Sequence, residues 1–287
     1  MSYYLLLCCF YSIGVLSNKT IPITNLPQKK EIKTIKNNNI TFKKVMNEIF
    51  LYLMNTFIIT CIFTVFWRKI IIFFFCNIPS LVMFFLLNFF GIIFCTTNIL
   101  YKIEKYNFYE FNFNSLKSLF VLLMFFISFN ISLLSLELNL IEIIFAFLSS
   151  SVFFIVMFLH GKYSNDSYES YWYHIKNIGG TITILSILLI ILFITDIFSL
   201  LSFSSLFVNP LISSSLLLLI SIFSCLLSSI NISFLTKSVK DIFNNSDSNI
   251  KDNNYVNFLI FIGVWGFYMN FMSIFIEICN LILHFKK

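Results

Sequence analysis

The chain has 287 residues, of which 59% are hydrophobic, 19% aromatic and only 11% charged, with a formal net charge of +6. Roughly half of a globular chain is apolar, so this excess excludes an ordinary soluble domain and predicts an all-α polytopic membrane protein. The positive charge then bears on topology and anionic lipid headgroups, and no basic cluster with interleaved aromatics points to nucleic acid.

In chain order, residues 3–16 form an apolar run too short to span comfortably and without a basic flank. It reads as a signal-like start, a membrane-dipping anchor or a misassigned start. Residues 18–41 are polar and lysine-rich, with Lys29, Lys30, Lys33 and Lys36 before Asn37-Asn38-Asn39. Such a segment buries too little to fold alone, so residues 1–41 are expected to be a flexible tail ahead of a membrane domain at 42–287. Apolar run length then predicts seven spans, at 46–67, 70–97, 116–136, 138–160, 178–200, 211–235 and 256–284. The breaks are read at Trp67-Arg68-Lys69, 102–117, Glu137-Leu138-Asn139, 160–176, Asn209-Pro210 and 237–254.

The distribution of basic residues orients the bundle. All of the 19 Lys and Arg except Arg68, Lys69, Lys286 and Lys287 fall on the tail and on the second, fourth and sixth connections. The positive-inside rule makes that side cytoplasmic, so the N-terminus is expected inside and the C-terminus outside. A last helix that re-entered instead of spanning would return the C-terminus to the inside.

The last segment, 256–285, is long enough to cross a bilayer yet carries Asn270, Glu277 and Asn280. Asn270 and Glu277 are seven residues apart and share a helix face, which is expected to look into protein or water. The expected architecture is therefore a seven-transmembrane-helix bundle around a central C-terminal helix. For Glu277 two readings stand side by side, a cation ligand inside the bundle and an interfacial residue that snorkels to water.

No catalytic constellation is present: the sequence has no Gly-rich phosphate loop, no G-x-S-x-G elbow and no H-E-x-x-H. His160, His174 and His284 are widely separated, and the seven cysteines (Cys8, Cys9, Cys61, Cys76, Cys95, Cys225, Cys279) lie scattered, mostly in apolar runs. Neither a metal site, a disulfide framework nor a cofactor is expected. Gly179-Gly180 reads as a close-packing or helix-start feature. Ser149-Ser150-Ser151 and Ser213-Ser214-Ser215 read as packing positions with hydroxyls bonded to backbone carbonyls.

Four stretches carry a family resemblance. Phe234-Leu235-Thr236-Lys237-Ser238-Val239-Lys240 closes the sixth span, and Phe267-Tyr268-Met269-Asn270-Phe271-Met272-Ser273-Ile274-Phe275-Ile276 lies in the seventh. Residues 128–161 supply Ile143, Ala146, Phe147, Phe154, Met157 and Gly161 in the middle, and Phe42-Lys43-Lys44-Val45 opens the first span. In order and spacing this resembles the bacterial branch of the transmembrane BAX inhibitor motif family over residues 42–285. The resemblance implies an inner-membrane protein acting as a calcium or other cation leak, or as a membrane-homeostasis factor. It also implies, as an alternative, a non-conducting regulator of a membrane protease or another integral partner, contacted through the tail.

The family's two acidic residues, in its sixth and seventh spans, match Leu235 and Asn270 here, and neither side chain titrates. A paired-carboxylate pH switch is therefore expected to be absent or rebuilt. The ion path expected from the resemblance comprises Asn270, Glu277, Leu235 and Asp241. Glu137 and Glu142 are expected at the interface of the tight third-to-fourth turn, and Asp241 also reads as a solvated loop charge. A secondary transporter is the weakest reading, since no internal repeat or broken helix is visible.

Overall fold

The computed structural model describes residues 42–74, 78–104, 113–164, 168–201, 210–245 and 253–286. Among them are seven α-helices and no strand: α1 Phe42–Phe74, α2 Ile78–Glu104, α3 Phe113–Glu137, α4 Leu140–Tyr163, α5 Tyr168–Leu201, α6 Pro210–Asn245 and α7 Asn253–Lys286. Six contain a stretch long and apolar enough to cross a membrane within the described residues. The protein is an all-α, multi-pass membrane protein. The expected tail at 1–41 lies outside the described residues.

The breaks between helices fall within the stretches read at 102–117, 160–176 and 237–254 and at Asn209-Pro210, and most sharply at the α3–α4 turn, which is chemically marked. The Asn139 backbone N–H donates to Glu142 Oε2 at 2.7 Å, closing a capping box that starts α4. After the first span, charge misplaces the boundary. α1 continues through Arg68 and Lys69 to Phe74, so the break read at Trp67-Arg68-Lys69 is corrected. Arg and Lys are good helix formers, and their long stems keep an exposed charge at the end of an apolar helix. Trp67 holds this turn against α3, its indole N–H donating to the Phe125 carbonyl at 2.9 Å beside the Phe125 and Phe129 rings. α2 and α6 start where proline suits a first turn, at Pro79 and Pro210. α6 then runs past the expected end at 235 to Asn245, and α5 starts ten residues before the expected 178.

The helices are arranged around α7. In its membrane-length stretch 83% of residues are buried inside the bundle, against 22% for α1 and 17% for α4. α7 packs on α6, α4, α1 and α3, whereas α2 sits mainly on α3 and α5 on α6. Rings fill the contact: Phe50 stands edge-on to Phe158 at 5.2 Å, Phe154 edge-on to Phe267 at 5.5 Å, and Phe57 lies 4.7 Å from Phe271. Such pairs each contribute about 1 kcal/mol beyond area burial. The outer faces of α1 and α4 expose Leu51, Met54, Ile58, Ile141, Phe145 and Val152. A continuous apolar belt of that kind suits acyl chains and not water.

α4 and α6 approach most closely at Gly161. A Cβ built there would lie 2.2 Å from the Ser233 carbonyl oxygen, so only glycine fits. The contact is stitched by the Ser233 hydroxyl donating to the Met157 carbonyl at 2.6 Å, and by Lys240 Nζ donating to the Lys162 carbonyl at 2.9 Å. Gly179 and Gly180 are the opposite case: a Cβ at either meets nothing within 4 Å, and both sit inside α5. The expectation that they serve close packing or start a helix is corrected. A lipid-facing helix needs no small residue where nothing approaches it.

Gly161→Ala is expected to force α4 and α6 apart and cost about 2 kcal/mol. Gly180→Ala should be neutral or gain up to about 1 kcal/mol from helix propensity. Thermal unfolding of both variants in detergent checks this, and equal melting temperatures for the two would contradict the packing described.

Candidate functional site

The polar residues of α6 and α7 recur at helical spacing and meet along one line. On α6 they are Ser221, Ser224, Ser228 and Asn231; on α7 they are Asn270, Ser273, Glu277 and Asn280. Steps of three and four keep each set on one face. Two contacts fix the antiparallel register. The Ser228 hydroxyl donates to Ser273 Oγ at 2.8 Å, and Leu235 occupies the space that a side chain at Gly266 would take, with its Cδ2 2.5 Å from the position of a Cβ. Seven residues along α6 are thus matched by seven back along α7. The same register sets Ser224 level with Glu277, Asn231 with Asn270 and Ser221 with Asn280.

The seam is buried and incompletely paired. Glu277 has no exposed surface, and Ser224, Ser228 and Ser273 are also buried. Asn280 Nδ2 donates to Glu277 Oε2 at 3.3 Å, and the Ser221 side chain is a second hydrogen-bond partner of the carboxyl. Glu277 Oε1, Ser224 Oγ and Asn231 Oδ1 have no partner. Ser238 Oγ and Trp265 Nε1 on the same helix pair are also without a partner, but Glu277 is the acid among these atoms, and a buried carboxyl with an uncommitted oxygen marks a place built for something other than packing. Three other buried hydroxyls, by contrast, bond within their own helices: Thr60 to the Thr56 carbonyl at 2.8 Å, Ser150 to Ala146 at 2.6 Å and Thr236 to Ile232 at 2.7 Å. That is the ordinary way a helix in lipid carries a hydroxyl.

Of the expected path residues, Asn270 and Glu277 do share the buried face of α7. Asn270 uses its amide to donate to the Gly266 carbonyl at 2.7 Å, one turn back along its own helix. Leu235 is half-buried and meets Gly266, one turn away from the level of Asn270. Asp241 is half-buried near the end of α6, and in this register it stands level with Ile260, about 25 Å along the helix from Glu277. It belongs to the other end of the bundle. The snorkelling reading of Glu277 is corrected as well, because its carboxylate does not reach the bundle surface. Ser221, Ser224, Ser228 and Ser273 escaped the sequence reading. Their shared period was visible, but serine is common in membrane helices and only the register shows that the two stripes face each other.

Glu142 stands in the first turn of α4, paired with Lys286 at 3.1 Å. This pair ties the end of α7 to the start of α4, so α7 runs the length of the bundle and does not turn back. Among the described residues no group of three His, Cys, Asp or Glu side chains could hold a metal ion, and Cys61, Cys95, Cys225 and Cys279 are free thiols. Comparison with protein-family models, with curated proteins and with solved structures finds no match.

Paired cysteines test the register. In a background without the native cysteines, Leu235→Cys with Gly266→Cys should cross-link readily, and Leu235→Cys with Asn270→Cys poorly, since one turn is about 5.4 Å. The reverse preference, scored by mobility on non-reducing gels, would replace this register with the one in which 235 faces 270.

Proposed function

We propose that this protein is a passive cation leak of the inner membrane, with the α6–α7 seam as its path and Glu277 as its one charged group. The observation that carries the reading is a fully buried carboxylate with one oxygen uncommitted, at a level where Ser224 is also unpartnered. A carboxylate inside hydrocarbon is expensive and faces a partner or a pathway. The hydroxyls and amides that continue the seam from Glu277 to Asn270 offer a moving cation successive oxygen ligands, as carbonyl and side-chain rings do in filters. The resemblance to the transmembrane BAX inhibitor motif family supports the same reading through the order of its motifs. The departures at Leu235 and Asn270 mean that the path here works without a pair of titrating acids, the charge having moved to Glu277.

Orientation follows from the same residues that orient the sequence. Alternating helices place Lys43, Lys44, Lys102, Lys117, Lys162, Lys176, Lys237 and Lys240 at one end of the bundle, and Arg68, Lys69 and Lys286 at the other. The first end is cytoplasmic by the positive-inside rule.

Proteoliposomes loaded with calcium-, sodium- or potassium-sensitive dye test the leak. The full chain should pass at least one of these cations faster than protein-free vesicles, and Glu277→Gln should lower that flux about tenfold, the effect of about 1.4 kcal/mol at the narrowest point. A chain lacking residues 1–41 should conduct like the full chain. No flux of any cation in either would sink the leak and favour a non-conducting regulator that binds an integral membrane partner through the tail.

A further inference from the structure

The charge count of the seam says more about what it carries. Glu277 is fully buried, and the groups that act on its carboxyl from its surroundings are the Ser221 and Asn280 side chains, both neutral. Among the described residues no lysine, arginine or histidine pairs with it and no second carboxylate stands beside it. The Cys225 thiol is the other titratable group close enough to sense its charge, and it lies on the α6 face that carries Ser221 and Ser224. The orphaned Glu277 Oε1 and Ser224 Oγ stand at one level of the register, facing from the two helices.

We propose that Glu277, with Ser221, Ser224 and Asn280, forms a binding site for one singly charged metal cation, and that this site does not take calcium. The inference deepens the leak reading by naming the class of ion, and it uses the same residues.

The reason is neutrality. A net charge inside the hydrocarbon region is costly, so the stable states of the site are those that sum to zero. One carboxylate with one singly charged cation sums to zero, and so does the carboxylic acid. A divalent ion on the same carboxylate leaves a net positive charge with no second acid to absorb it. Calcium further asks for six to eight oxygen ligands, commonly including several carboxylates, at distances that a flexible acidic loop supplies. A helix pair offering hydroxyls, an amide and one carboxylate does not resemble that set. A bare ammonium from lysine cannot substitute either, since the nearest lysines of α6, Lys237 and Lys240, lie more than two turns beyond Ser228.

The site can be read without transport. Dicyclohexylcarbodiimide is an apolar reagent that adds to a carboxylic acid, and a cation held on the carboxylate blocks the addition. The purified full chain in detergent is treated with the reagent in choline chloride, then with sodium, lithium, potassium or calcium chloride at equal ionic strength. Modification is followed by mass spectrometry on the peptides containing Glu277 and, as an exposed control, Glu142. The expected result is modification of Glu277 in choline, slowed about tenfold by at least one of the three alkali cations near saturation and unchanged by calcium. Protection by calcium at equal or lower concentration overturns the inference. So does modification that no alkali cation slows, and so does an unmodified Glu277 in choline, because a site that exchanges ions must pass through the acid. A protected Glu277 without flux in vesicles would refute the leak and leave the site standing.

Discussion

An acid with no exposed surface and, among the described residues, no cationic partner forces the rest of the bundle to close around it. Glu277 is tolerated only where other helices exclude lipid from its carboxylate, and α7 is accordingly the innermost helix. The same constraint explains the division of labour among the other helices. α6 supplies hydroxyls toward the acid, α1 and α4 supply rings toward the opposite faces of α7, and their own outer faces are left apolar for the bilayer. The bundle is not symmetric about its axis. One side of α7 is held by hydrogen bonds and the other by aromatic packing, with Thr60 and Tyr268 joined at 2.8 Å as the polar exception on the aromatic side.

Hydrogen bonding between membrane helices contributes modestly, about 0.6 kcal/mol per pair, because an unfolded helix in lipid also finds partners. The Ser228–Ser273 bond therefore does little to hold α6 on α7. Its role is to set level, and levels decide chemistry here: a shift of one turn would put Leu235 beside Asn270 and leave Ser224 facing apolar surface. The close seating of Leu235 on Gly266 resists that shift sterically, since a glycine recess accepts one side chain at one height.

Hydropathy made the helices and the central place of the last one legible, because apolar run length and buried polar residues both follow from the bilayer as solvent. It also located the Glu137–Asn139 turn, where a capping residue coincides with a drop in hydropathy. It misjudged Arg68-Lys69, Lys237 and Lys240 for one reason: a charge ends the hydrocarbon-compatible stretch but does not end a helix. Asn270 and Glu277 could be placed on one face from their spacing alone. What faces them could not, since the register between two helices depends on which small residue receives which large one, and Gly266 with Leu235 is a relation between distant parts of the chain.

Gly161 gives the bundle a mechanical division. With its backbone pressed against Ser233 and two side chains bonded across the gap, Gly161 locks α4 to α6. α7, by contrast, bears on α1 and α4 through phenyl rings. Rings tilt past one another with little loss of contact, whereas a carbonyl locked over a glycine has nowhere to go. The protein thus holds one helix pair by a backbone lock and seats the helix that carries the acid against rings.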